Sequence, residues 1–194
     1  MRLTAMVTTL VLGCAGVKSN PEGLDMSEWK EAAAKQMAKA WSMDASQVSV
    51  IVHEKPAVDG VTVFAFVQPS PRGGYKRYAP GVVAEGALVL DADKARGAAL
   101  QAAGLGRDGA DATTLATLAA LMVPNQPEPG KLIVDPERGA HFEQHFGIAG
   151  VAPPVTREVD GRPALDYWVS TGSGDPVEHY VVPLLADGTA PIRR

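Results

Sequence analysis

"VTVFAFVQ", Val61 to Gln68, decides the fold. Valine, phenylalanine and alanine occupy positions of both parities in it. Successive side chains of a strand point to opposite faces, so a strand apolar at both parities belongs inside a sheet and is covered on both sides. On either side of it, "QVSVIVHEK" (47–55), "KRYAPGVVA" (76–84) and "ALVLD" (87–91) carry the period-two pattern of strands. Asp59-Gly60, "PSPRGG" (69–74) and Glu85-Gly86 supply turn chemistry between them, which predicts an antiparallel meander.

Ahead of the meander, "SEWKEAAAKQMAKAW" places Trp29, Ala33, Met37 and Ala40/Trp41 on one helical face, so an amphipathic helix is expected over 26–42. Asp25 and Ser27 offer capping oxygens at its start. Behind the meander, "DADKARGAALQAAG" opens on Asp91 or Asp93, and "DATTLATLAALM" opens on Asp111. "VPNQPEPG" (123–130) is a loop, and "KLIV" (131–134) a short strand. Asp135-Pro136 is a helix start and Gly147 a stop for "PERGAHFEQHF". The chain then returns to strands in "PVTREVD", "ALDYWVST", "EHYVVPLL" and "TAPIR", joined by Asp160-Gly161, "GSGD" and Asp187-Gly188. The expected fold is α+β: a mostly antiparallel sheet in two meanders, with the N-terminal amphipathic helix and three shorter helices packed on one face. The pattern leaves open whether the C-terminal strands join the first sheet or form their own.

The N-terminus reads as an address. Leu3 to Leu12 is uncharged and mostly apolar after Arg2, too short for the ~20 residues that span a bilayer but matched to the apolar part of a secretory signal. "VLGC" (Val11-Leu12-Gly13-Cys14) resembles the lipobox of bacterial lipoproteins. That resemblance implies cleavage before Cys14, diacylglycerol on its sulfur and an acylated amine. With Ala15 following, it implies the outer membrane, facing the periplasm or the surface. The domain organisation expected is a signal peptide at 1–13, a lipidated flexible tether at 14–25 and a single α+β domain at 26–194. Several acyl chains anchor a protein stably where one is marginal.

Composition narrows the function. With 18 basic against 22 acidic residues and a formal charge of −4, the chain offers no general attraction to nucleic acid. Cys14 is the sole cysteine, which excludes an internal disulfide framework and CxxC zinc clusters. Neither a GxSxG elbow nor a phosphate-binding glycine loop is present. Asp91, Asp93, Asp108 and Asp111 lack EF-hand spacing and read as caps and turns. Arg72, Lys76 and Arg77 with Tyr75 and Tyr78 form a basic and aromatic hairpin, read first as an ordinary solvated one.

Two functions from different classes follow. The first is a membrane-anchored, non-enzymatic binding module, reaching the membrane through its lipid and meeting another envelope protein or polymer. Tyr167, Trp168 and Tyr180 are expected in its partner surface, and no resident cofactor is needed. The alternative is a periplasmic metal-binding protein or hydrolase using zinc on His141 and His145, which share a helix face at four-residue spacing. That alternative requires a concave pocket and a third ligand, from His53, His179 or a carboxylate, and "HFEQH" does not supply the glutamate of the HExxH arrangement.

Overall fold

The computed structural model describes residues 26–124, 131–170 and 177–194. The signal segment, the tether with Cys14 and Asp25, most of the 123–130 loop and the "GSGD" turn lie outside the described residues. The first sheet has the order β1 (Ser49–Val58), β2 (Val61–Pro69), β3 (Tyr75–Ala84) and β4 (Ala87–Val89), all antiparallel. The turn at Glu85-Gly86 has positive φ at both residues, 51° and 74°, the backbone that matches strand twist in a two-residue hairpin.

β2 is the central strand that its apolar parities require. Phe64 and Phe66 face α1 (Met26–Trp41), where they meet Ala33, Met37, Ala38 and Trp29. The Trp29 and Phe64 rings are 5.0 Å apart. Ala38 completes this buried face, while Ala40 is exposed. On its other face Val63 joins the main core with α2 (Ala92–Ala102) and α3 (Ala112–Leu121). The helices therefore cover both faces of the first sheet, not one, because an all-apolar central strand leaves no face for water. Asp91 and Asp111 cap α2 and α3, accepting two backbone N–H groups each.

The C-terminal strands make their own sheet. β7 (Arg162–Ser170) is its spine, with β8 (Val177–Pro183) along one edge. β6 (Val155–Val159) and the two-residue β5 (Lys131–Leu132) share the opposite edge. "TAPIR" forms no strand; it contributes one isolated bridge between Val181 and Arg193. Leu165, Tyr167, Val169, Tyr180 and Val182 close the main core from this side, so the layers run α1, first sheet, α2 and α3, second sheet. The fourth helix, α4 (Pro136–Phe146), capped by Asp135, buries only Gly139 and Phe142 and lies at the periphery.

Arg96 ties these layers together. It is 1% exposed on α2. Its guanidinium donates to the carbonyls of Ala190 (2.5 Å) and Met122 (2.8 Å) and to the Asp93 carboxylate (2.8 Å). One side chain thus joins α2 to the end of α3 and to the C-terminal tail.

Candidate functional site

The outward face of the second sheet follows from strand parity. Leu165, Tyr167 and Val169 point to the core, so Asp166 and Trp168 point away from it. Register then sets His179 opposite Trp168 and Val155 opposite Asp166, with Arg157 one diagonal step away. Asp166 is the hub, accepting from Arg157 Nε at 2.8 Å and from His179 Nε2 at 2.5 Å. The His179 ring stacks on Trp168 with centroids 4.4 Å apart and planes inclined by 16°. The imidazole is held by its edge and its face together. Asp166 keeps 17% of its side-chain surface, whereas Arg157 and His179 stay more open at 47% and 38%. Val155 beside them is an exposed apolar side chain.

Towards the β6–β7 turn the same face continues into an open cavity of about 250 Å³, lined by Val159, Asp160, Arg162, Pro183, Leu185 and Arg193. Arg193 Nη1 lies 3.5 Å from Asp160 Oδ2. The turn itself, Asp160-Gly161, has positive φ at both residues, which fixes the register on which the face depends.

Of the three aromatic residues expected on a partner surface, only Trp168 faces outward. Tyr167 and Tyr180 are fully buried cross-strand neighbours, their rings 5.4 Å apart. The correction is one of parity: adjacent residues of a strand cannot share a face. Burial pushes the Tyr167 hydroxyl well above its ordinary range, with the Arg96 charge partly opposing it. Burial, and then the hydrogen bond that the Tyr180 hydroxyl donates to Glu178, push Tyr180 up to about 12. Sequence reasoning missed Arg157 and Asp166, and named His179 only as a third metal ligand beside His141 and His145, since only register across two hairpins brings the three together.

His141 and His145 do meet on α4, with ring centroids 4.3 Å apart. Both are exposed rather than enclosed in a cavity, and no group of three potential metal ligands occurs among the described residues. The basic hairpin has structural work. Arg77 donates to the Trp41 carbonyl at the end of α1 (2.8 Å) and lies over the Trp41 ring, while Tyr78 is buried.

His53 lies on β1 against Tyr78. The Tyr78 hydroxyl donates to the Leu121 carbonyl (2.5 Å), leaving an oxygen lone pair 3.4 Å from His53 Nε2. Burial holds this imidazole below its ordinary value of 6.5. Below pH 6.5 the unfolded chain therefore binds a proton that the folded chain resists. The contribution of His53 is complete above that pH and is lost as pH falls toward the folded value. The expected result is a wild-type urea midpoint that drops on acidification from neutral pH, and a shallower drop in His53→Asn. Parallel curves would show that other groups carry the acid sensitivity.

The fold and this face define a class: an α+β protein of two antiparallel sheets with helices packed between them, and a polar and aromatic cluster on the outer face of the second sheet. No protein family, curated protein or solved structure matches the chain. Among the described residues no helix is long and apolar enough to cross a membrane.

Proposed function

We propose that this chain is a lipid-tethered binding module of a bacterial cell envelope, anchored through Cys14. Its partner is another envelope protein, held on the outward face of the second sheet. The observation that carries the reading is the row Arg157, Asp166, His179 and Trp168, a preformed set in which each side chain positions the next. Tryptophan and arginine over a partly apolar surface are the groups that dominate protein interfaces. β6 favours a protein partner over a polymer: it lies at the sheet edge with Val155 to Glu158 exposed, and an extended segment can pair along such an edge. The lipobox resemblance of Val11 to Cys14 supports the tether.

The test is a photoreactive residue at Val155, with a second at Lys35 on the exposed face of α1 as reference, in cells expressing the full chain. The expected result is one protein adduct from position 155, absent from position 35. Trp168→Ala and Arg157→Ala, each still folded by circular dichroism, should reduce it by about tenfold or more, the loss of ~1.4 kcal/mol or more seen at interface anchors. Cys14→Ser should move the protein out of the membrane fraction. Adducts to glycan, or equal adducts from both positions, would overturn the partner class, and a Cys14→Ser chain still in the membrane would overturn the anchor.

A further inference from the structure

The sequence of α4 sets two imidazoles one helical turn apart, and the packing of the helix holds both outward. A Cβ at Gly139 would lie 2.2 Å from the Val151 carbonyl oxygen, so the helix rests directly on the backbone of the following loop. Phe142 is buried on the same side. These two contacts fix the rotation of the helix about its axis, and with it the exposure of His141 and His145. The rings stand 4.3 Å apart with planes inclined by 42°. Phe142 and Phe146 approach the His141 ring edge-on, each with centroids 6.1 Å away, which restricts where that ring can turn. His179 is bound to Asp166 and His53 stands against Tyr78, whereas among the described residues His141 makes ring contacts only, with His145, Phe142 and Phe146, and His145 meets only the His141 ring.

We propose that His141 and His145 form a site for one exchangeable late first-row divalent cation, zinc or copper(II), bound through both imidazoles with water completing its shell. Imidazole suits these ions, and copper(II) should bind more tightly than zinc. Closed structural zinc sites use four protein ligands and catalytic ones three. Two ligands therefore describe an ion that is loaded and released, not a resident cofactor. The first imidazole to bind holds the ion beside the second, so the second bond forms at high effective concentration. Losing either ring should lower affinity by ~100-fold.

The experiment uses the untagged full-length chain carrying Cys14→Ser, which removes the competing thiol, at about pH 7.5. Calorimetric titration with zinc chloride is expected to show one ion per chain. His141→Ala and His145→Ala should each weaken it by ~100-fold, while Glu143→Gln, off the stripe, should leave it unchanged. Both alanines fall at exposed helical positions and suit a helix, so the metal-free melting temperature should hold. Zinc should raise the melting temperature of the parent chain and not of the double variant. With copper(II), electron paramagnetic resonance should show coupling to two imidazole nitrogens. Unchanged zinc binding in the double variant, no zinc binding by the parent chain, or copper coupled to a single imidazole would each overturn the site.

Discussion

Arg96→Ala is expected to lower the free energy of unfolding by about 4 kcal/mol, measured as a shift in the urea midpoint at unchanged slope. The guanidinium is buried and satisfies two buried carbonyls, Ala190 and Met122, at 2.5 Å and 2.8 Å. Truncation strands both acceptors at about 1–3 kcal/mol each and opens a cavity besides. The Asp93 contact contributes less, because that carboxylate is half exposed and screened by water. Asp93→Ala should therefore cost no more than about 1 kcal/mol. Arg96→Met separates the causes: it refills much of the volume but donates to neither carbonyl. It should recover only part of the loss, and Arg96→Lys, with one compact ammonium for two diverging acceptors, should also fall short. A methionine variant as stable as the parent chain would mean that packing alone accounts for this residue.

The elements that sequence made legible are those set by neighbours along the chain. Val61 to Gln68 announced a doubly covered strand because both parities are apolar, and it is buried on both sides. Asp91, Asp111 and the Asp135-Pro136 pair with Gly147 marked helix ends, since capping is an interaction across two or three residues. What was not legible depends on distant partners. Arg96 looks like an ordinary charge on an alanine-rich helix until its acceptors, 26 and 94 residues away, arrive beside it. Arg157, Asp166 and His179 become one cluster only through the registers of β6 and β8 on β7. Trp168 could have been separated from Tyr167 by alternation alone. Tyr180 needed the register, which pairs it with Tyr167 on the core side.

Gly97→Ala is the second large effect, expected at about 3 kcal/mol of destabilisation. Propensity alone argues the opposite, because alanine is worth about 1 kcal/mol more than glycine inside a helix. The surroundings reverse that sign. A Cβ at position 97 would stand 1.8 Å from the Gly188 carbonyl oxygen and 2.9 Å from its carbon, both of them backbone atoms that no rotamer change can move. The tail must therefore lift away from α2. Two residues further on, the Ala190 N–H donates to the Asp93 carbonyl (2.9 Å) and its carbonyl accepts from Arg96, so the displacement pulls at both. The two substitutions act on one interface and should not add: once Gly97→Ala has lifted the tail, part of what Arg96→Ala removes is already gone. The double variant should lose less than the two single losses combined, by about 1 kcal/mol or more. Strict additivity would show that Arg96 and Gly97 hold the tail independently, and a stabilised Gly97→Ala would show that the tail is not seated on α2 in solution.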